Sequence, residues 1–206
     1  MILRHNIGGV NPPPFSYFDR IVVLNLKSRP DRRDEIEQEL KYQKIKEVKF
    51  FEGIEGGIKG FNQSMYEILK ENQDVDKLLV LEDDCYFFSS HKLSKAIEQL
   101  PDDWDILSMG SNLQSDHYKF SDNLYWLKDG WMTHAIAYSK KMIQVILKEY
   151  DKELVYDEWL RVNIYPRFKC FMTNPISAWQ RPSRSDLQGR ESDYLKIYGV
   201  SRNYMK

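Results

Sequence analysis

Short apolar runs alternate with amphipathic stretches through the first half of the chain. Four runs consist largely of Val, Ile, Leu or Phe and have the length of strands; they lie at residues 20–26, 48–54, 77–81 and 105–109. The segments between them repeat apolar residues at three- and four-residue spacing, which predicts helices that begin near Ser28, Asn62 and Ser90, with the two serines as N-caps. Strands that alternate with helices in this way predict an α/β domain.

The second half of the chain is richer in predicted strands. Apolar runs at residues 124–127, 131–138 and 168–172 indicate strands. Helical spacing indicates one helix over residues 140–150 and a shorter one that begins near Asp157.

One domain accounts for this pattern. We predict a single three-layer, Rossmann-like α/β sandwich over residues 19–187, with a mixed, mainly parallel central sheet. Three consecutive prolines predict an irregular lead-in over residues 1–18, and polar residues predict a loop over 111–123. Residues from 174 onward are predicted to be irregular, with a tail over 188–206. In such sheets, ligands bind at the carboxyl ends of the strands.

The overall charge excludes some classes of partner. Thirty Lys and Arg residues against 31 Asp and Glu leave a formal charge of -1, which excludes a general affinity for nucleic acids or anionic membranes but leaves a local basic patch open. No apolar run approaches the roughly 20 residues of a transmembrane helix, and the first residues lack a signal-peptide pattern. Two cysteines fit a reducing compartment. We therefore expect a cytoplasmic protein.

Three acids, Glu82-Asp83-Asp84, follow directly after the most apolar predicted strand. Side chains 82 and 84 of an extended backbone point to the same side and can share one cation. Carboxylate oxygens suit Mg2+ or Mn2+, and an ion held by few protein groups keeps positions open for a diphosphate. The alternative is a solvated acidic turn. The position at the end of a buried strand favours a metal site formed by Glu82 and Asp84.

A polar loop joins the first strand to the first helix. Asn25 and Leu26 end the strand, and Arg29 and Arg32 follow near the start of the helix. These arginines and the free amides of the first helical turn could contact the phosphates or the base of a nucleotide. The alternative is a pair of solvated arginines.

Basic and aromatic residues collect in the last third of the chain. Residues 159–185 contain five basic side chains and no acidic one, interleaved with aromatic rings. Such a stretch could close over a diphosphate or bind an anionic acceptor, including nucleic acid. The alternative is that these residues balance acids elsewhere on the surface. Three tryptophans are candidates for stacking on a sugar, namely Trp131, Trp159 and Trp179.

Several segments together carry a family resemblance. They are Val22-Val23-Leu24-Asn25-Leu26 with Arg29 and Arg32-Arg33, Leu79-Val80-Leu81-Glu82-Asp83-Asp84, Trp104-Asp105, Thr133-His134-Ala135, Asp157-Glu158-Trp159-Leu160, and Gln180 with Ser185-Asp186. Over roughly residues 20–187 the chain resembles glycosyltransferase family 25, the group of lipopolysaccharide-biosynthesis and procollagen galactosyltransferases. It departs at Gly60-Phe61-Asn62-Gln63-Ser64-Met65, where the family reads Gly-Cys-x-x-Ser-His.

The resemblance implies a GT-A-type fold and a nucleotide-sugar donor that is usually UDP-linked. It also implies a divalent cation, Mn2+ or Mg2+, at the Glu-Asp-Asp turn. The donor-binding residues that it implies or supports are Asn25, Leu26, Arg29, Arg32, Asp83, His134, Gln180, Arg181 and Arg184. For His134, the alternative is a core histidine whose hydrogen bonds are satisfied inside the protein.

The expected activity is therefore that of a metal-dependent glycosyltransferase that moves a sugar to an acceptor hydroxyl with inversion. Inversion requires a base beside the hydroxyl, and a carboxylate at a helix N-terminus suits this role. Asp157 is the first choice and Glu158 the second; the alternative is a helix-capping pair. The expected acceptor is a glycan such as lipopolysaccharide. A protein hydroxyl or a modified nucleobase stays open, as does a non-catalytic descendant that binds sugar or nucleotide.

Overall fold

A mixed eight-stranded sheet forms the centre of the computed structural model, which describes residues 13–113, 118–185 and 190–192. In chain order the strands are β1 (Arg20–Leu26), β2 (Lys49–Gly53), β3 (Lys77–Glu82), β4 (Cys85–Phe87), β5 (Ile106–Ser108), β6 (Asn112–Leu113), β7 (Tyr118–Lys119), β8 (Leu124–Trp126), β9 (Gly130–Trp131), β10 (Ala135–Ser139), β11 (Cys170–Thr173), β12 (Ala178–Gln180), β13 (Ser183–Ser185) and β14 (Arg190–Ser192). The helices are α1 (Pro30–Tyr42), α2 (Ile58–Glu71), α3 (Ser90–Glu98), α4 (Lys140–Glu149) and α5 (Tyr156–Asn163).

The sheet is partly parallel. Its order is β2-β1-β3-β10-β5-β11-β8-β7, and separate two-stranded sheets pair β12 with β4, β13 with β14 and β6 with β9. Strand β1 runs parallel to β2 and β3, and β11 runs parallel to β5, whereas the other four pairings described in the large sheet are antiparallel. The predicted α/β domain with a mixed sheet is confirmed. Its parallel share is smaller than predicted because β10 enters antiparallel between β3 and β5.

Strand β3 shows why the central runs are continuously apolar. Leu78 and Val80 belong to the core on one face of the sheet, and Leu79 and Leu81 to the core on the other, all with no exposed surface. Alternate side chains of a strand point to opposite faces, so a strand that is covered twice needs apolar residues at every position. Helices α2, α4 and α5 cover the first face, and α1 and α3 the second. This is the predicted three-layer arrangement.

Helix starts differ from the prediction. Helix α1 begins two residues after Ser28, whose hydroxyl does not cap it but donates to Glu55 at 2.6 Å. Helix α3 begins at Ser90, and its cap is the neighbouring Ser89. Helix α2 begins at Ile58, about one turn earlier than predicted. Ser28 has Glu55 as an alternative hydrogen-bond partner, and Ser90 has a second serine, Ser89, next to it. The local sequence pattern does not show which partner or which serine is used.

Three regions contain more strands than predicted. The predicted loop over residues 111–123 contains β6 and β7, which pair with β9 and β8. The segment 131–138 divides into β9 and β10 because Met132 adopts a φ of 85°, which interrupts the extended backbone. The predicted irregular tail contains β12, whose antiparallel pairing with β4 places Gln180 opposite Cys85, directly after the acidic turn. The described part of the chain contains no helix that is long and apolar enough to cross a membrane.

Candidate functional site

The three acids at the end of β3 have different partners. Glu82 Oε1 accepts a hydrogen bond from the Thr133 hydroxyl at 2.9 Å. Asp83 accepts one from Asn25 Nδ2 at 2.8 Å and one from Arg32 Nη1 at 3.1 Å. The same Arg32 nitrogen lies 3.5 Å from Asp84 Oδ2. The turn is therefore held in place by contacts from β1, α1 and the segment before β10, and it is not the freely solvated turn of the alternative interpretation.

Asp84 keeps one oxygen available. Its carboxylate is 6% exposed, and Oδ1 is buried and accepts no hydrogen bond from the described residues. Burial raises the pKa of Asp84; Arg32 opposes this rise, whereas the charge of Asp83 adds to it. The side chain of Gln180, on the strand that pairs with the segment after the turn, also opposes this rise. A buried carboxylate oxygen without a donor is the kind of group that a cation satisfies.

Asp157 lies on the same side of the molecule as these acids. Residues 131–133 connect the start of α5 to the turn, because Trp131 Nε1 donates to Glu158 and the Thr133 hydroxyl donates to Glu82. Burial raises the pKa of Glu82, and the charge of Asp84, followed by the charges of Asp83 and Asp157, raises it further. Asp157 itself follows the first residue of α5, where its Oδ1 accepts from the Glu158 amide at 2.8 Å. Burial also raises the pKa of Asp157, and hydrogen bonds from the Glu158 and Met132 amides oppose this rise. Glu82, Asp84 and Asp157 therefore form one acidic site.

Glu158 is engaged elsewhere. Both of its oxygens accept from Arg161, at 2.7 and 2.8 Å, and Oε2 also accepts from Trp131 Nε1 at 2.6 Å. Arg161 also contacts Asp129 at 3.0 Å. The hydrogen bonds from Arg161 lower the pKa of Glu158 to about 2. A carboxylate with so low a pKa and with three donors around it is a poor proton acceptor, so the geometry favours Asp157 as the base.

The predicted donor loop is turned inward. Asn25 donates to Asp83 and to the Arg29 carbonyl, and Arg32 is 8% exposed and paired with the acidic turn. Arg29 forms an ion pair with Asp31 at 2.8 Å, and Leu26 is partly buried at the end of β1. Asn25 and Arg32, two of the side chains predicted to bind the donor, thus position the acidic turn. Their amide and guanidinium find buried carboxylates because the carboxyl ends of β1 and β3 are adjacent.

His134 is a core residue. It has no exposed surface, its Nε2 lies 3.2 Å from the Ala178 carbonyl, and its ring packs against Trp179. Burial lowers the pKa of His134 to about 4. This arrangement corrects the prediction that the imidazole faces the donor or the metal. The neighbouring Thr133 reaches Glu82 instead, because adjacent side chains of an extended segment point in opposite directions.

Of the three tryptophans predicted to stack on a sugar, one remains a candidate. Trp159 and Trp179 are 5% and 1% exposed and belong to the core, so the prediction that they face a sugar is wrong. Trp131 is partly exposed, and its indole is held by Glu158 beside the start of α5.

Residues near the C-terminal end of the domain support the turn. Gln180, predicted to bind the donor, lies close enough to Asp84 to lower the pKa of its carboxyl. Arg181 does not point toward a donor: its guanidinium donates to the Cys85 carbonyl at 2.9 Å and pairs with Glu39 at 3.1 Å. The side chain of Arg184 and all of Asp186 lie outside the described residues. Thr133, which donates to Glu82, is a contact that the sequence analysis did not assign to the site.

An ion at this site would have few protein ligands. Among the described residues, no group of three or more His, Cys, Asp and Glu side chains has the arrangement of a metal site. Glu82 and Asp84 would supply two carboxylates, and the remaining positions would be filled by donor phosphates and water. This donor set fits Mg2+ or Mn2+, which keep several such ligands when they bind with a substrate phosphate.

Comparison with known proteins shows distant homology to glycosyltransferases. The chain is 30% identical to human procollagen galactosyltransferase 2 over 232 aligned residues, covering 88% of this chain and 35% of that protein. It is 25% identical over 146 residues to protein R655 of Acanthamoeba polyphaga mimivirus, which is named as a glycosyltransferase, covering 57% and 45% of the two chains. The chain thus spans less than half the length of both relatives. No family model matches it.

Solved structures with a related arrangement were also found. One is a glycosyltransferase involved in the glycosylation of the major capsid of PBCV-1, with a TM-score of 0.47 and 10% identity over 76% of this chain and 82% of that one. Another is A197 from STIV, with a TM-score of 0.48 and 12% identity over 85% and 95% of the two chains.

Proposed function

We propose that this chain is a glycosyltransferase that moves a sugar from a nucleotide-sugar donor to an acceptor hydroxyl. The observation that carries the proposal is the acidic site of Glu82, Asp84 and Asp157, in a chain that is homologous to two proteins named as glycosyltransferases. The site lies at the carboxyl end of β3, where α/β sheets bind ligands.

Glu82 and Asp84 would hold Mn2+ or Mg2+. The buried Oδ1 of Asp84, which no described residue satisfies, supports this assignment. When bound, the ion supplies positive charge to a diphosphate leaving group. Asp83 does not take part in this role, because Asn25 and Arg32 occupy its oxygens and thereby keep the turn in position.

Asp157 would act as the base. It accepts the proton of the acceptor hydroxyl while that oxygen forms a bond to the anomeric carbon of the sugar. The bond from this carbon to the phosphate oxygen breaks, and the nucleotide leaves with the electron pair, so the configuration inverts. Burial raises the pKa of Asp157, which makes its carboxylate a stronger base than an exposed one.

The donor we propose is UDP-linked, and UDP-galactose is the first to test because the human relative is named for galactosyl transfer. The acceptor we propose is a glycan. Trp131 supports this choice, since a partly exposed indole held beside the base can stack on a sugar ring. A protein hydroxyl, as the name of the same relative suggests, or a modified nucleobase is the alternative outcome of an acceptor screen.

Calorimetric titration of UDP with and without Mn2+ tests the site. We expect Mn2+ to raise the affinity of the wild type at least tenfold and to have no such effect on Asp84→Asn. Asp34→Asn, an exposed acid on α1, is the matched control and should behave as the wild type does. Equal affinity under all conditions would contradict the metal-bridged donor site. A screen of UDP-sugars for hydrolysis and transfer tests the activity, and nucleotide binding without turnover of any donor would favour the non-catalytic alternative.

A further inference from the structure

Asn62 connects helix α2 to the segment that leads into α5. Its side chain is 2% exposed, and Nδ2 donates to the carbonyls of Lys152 and Leu154 at 3.0 and 2.9 Å. Its Oδ1 accepts from the Tyr156 amide at 3.0 Å. The amide group of this one side chain thus makes three hydrogen bonds, all with the backbone of a segment 90 to 94 residues later in the sequence.

The bond to Tyr156 replaces an N-cap. Tyr156 is the first residue of α5, and the first amides of a helix have no partner within it. Val155, at the cap position, carries no side-chain acceptor, so the amide of Asn62 supplies one from another helix. Asp157 follows Tyr156 directly. Whatever holds the start of α5 therefore also sets the position of the Asp157 carboxylate.

The start of α2 is itself firmly placed. A Cβ added to Gly60 would lie 2.1 Å from the Ile54 carbonyl oxygen, so the helix packs directly on the backbone that follows β2. The hydroxyl of Ser64 accepts from the Ile54 amide at 2.8 Å and donates to the Gly60 carbonyl at 2.7 Å. Asn62 lies between these two residues on the same helix. The position from which the Asn62 side chain projects is therefore fixed.

We propose that Asn62 is a positioning residue for Asp157: its amide joins α2 to residues 152–156 and holds the base at the acidic site. The inference rests on the proposed function, because it assigns Asn62 a part in the same reaction. It also gives a role to the segment from Gly60 to Met65, in which this chain departs from the family pattern. Asn62 contacts no reacting group and acts through the backbone of α5.

Enzyme kinetics with matched variants test the role. In Asn62→Ala we expect kcat to fall about 10- to 100-fold, because a small displacement of a catalytic group has an effect of this size, while KM for the donor changes less than threefold. Asn72→Ala is the control, since it makes the same substitution at a buried amide at the other end of α2, whose bonds go to the Ile68 carbonyl and Arg20 and not to residues 152–156. It should lower the melting temperature but leave kcat within threefold of the wild type.

Hydrogen exchange gives a readout that does not depend on activity. In Asn62→Ala the amides of residues 152–158 should exchange at least tenfold faster, with those of β3 unchanged. If Asn62→Ala folds poorly, the isosteric Asn62→Asp keeps an acceptor for Tyr156 and at most one donor for the two carbonyls, and should show a smaller effect in the same direction.

The outcomes separate the two proposals. Unchanged hydrogen exchange at residues 152–158 in Asn62→Ala would contradict the proposal that Asn62 holds the start of α5, regardless of activity. An unchanged kcat in Asn62→Ala, or an equal loss in Asn72→Ala, would overturn the positioning role in an active enzyme. A wild type that turns over no donor would contradict the proposed function instead, and exchange alone would then decide whether Asn62 holds α5.

Discussion

Asp157 and Glu158 are neighbours in sequence but have opposite surroundings. Asp157 is partly buried, and its Oδ1 accepts from the Glu158 amide. Glu158 lies against Arg161 and Trp131, which use both of its oxygens. Two carboxylates with opposite pKa shifts differ in their suitability as a base, since proton transfer favours the one whose pKa is raised.

Substituting Asp157 by Asn and Glu158 by Gln tests which of the two acids is the base. We expect Asp157→Asn to lower kcat by roughly 10²- to 10⁴-fold, the usual contribution of a positioned base. Glu158→Gln should lower kcat less than tenfold, because Arg161 keeps its contact with Asp129. Steady-state rates with the donor found in the screen provide the measurement. A larger loss in Glu158→Gln than in Asp157→Asn would assign the base to Glu158.

At the scale of elements, the short sheet of β12 and β4 braces the acidic turn. The Arg181 amide donates to the Asp84 carbonyl at 2.7 Å, and its guanidinium reaches Cys85 and the Glu39 carboxylate. Glu39 also accepts from the Phe87 amide at 3.0 Å. Strand β12, the turn and α1 are thus joined through one arginine that sequence reading assigned to the donor.

Replacement of Arg181 tests this structural role. Arg181→Met should reduce the free energy of unfolding by about 1–3 kcal/mol, because it leaves the partly buried Glu39 without its cation. UDP affinity without Mn2+ should change less than threefold. Arg167→Met, which removes an exposed pair with Glu149, is the control and should stay within about 0.5 kcal/mol. Chemical denaturation and calorimetry give both quantities, and a stable Arg181→Met with much weaker UDP binding would restore the donor role.

At the scale of the whole molecule, charges that are separated in sequence are brought together. The basic residues described between 159 and 185 pair with acids, most of them from other elements: Arg161 with Asp129 and with Glu158 of its own helix, Arg167 with Glu149, Lys169 with Asp103, and Arg181 with Glu39. These ion pairs support the alternative of charges that are balanced on the surface, whereas the hypothesis of a basic surface for an anionic acceptor stays a prediction.

The whole molecule also determines how stability depends on pH. His134 remains neutral in the native state until about pH 4, whereas in the unfolded chain it gains a proton near its ordinary pKa of 6.5. Between these values the unfolded state binds more protons, so stability falls as pH falls.

Because the unfolded state binds one more proton at His134 than the native state, we expect this residue to lower the free energy of unfolding by about 1.4 kcal/mol per pH unit as the pH falls from 6 to 4.5. Urea denaturation at several pH values should therefore show a shallower loss in His134→Gln than in the wild type. His91→Gln, at an exposed position, should keep the wild-type slope. Identical slopes for wild type and His134→Gln would show that the native protein accepts the proton.

The sequence by itself determined most strands of the large sheet, the approximate positions of the helices and the place of the acidic turn. These follow from local rules: β3 reads as a continuous apolar run because both of its faces are covered, and Glu82-Asp83-Asp84 follows because the strand ends there. Asp157 could also be singled out, as an acid at the start of a predicted helix.

Only the tertiary structure decided what each of these side chains contacts. Asp83 meets Asn25 and Arg32 across 58 and 51 residues of sequence, and Asn62 meets Tyr156 across 94. Such pairs depend on strand order and register, and the insertion of antiparallel β10 beside β3 is what brings Thr133 to Glu82. The periodicity of a segment shows which face is buried. Which groups from distant segments meet there follows from packing the whole chain.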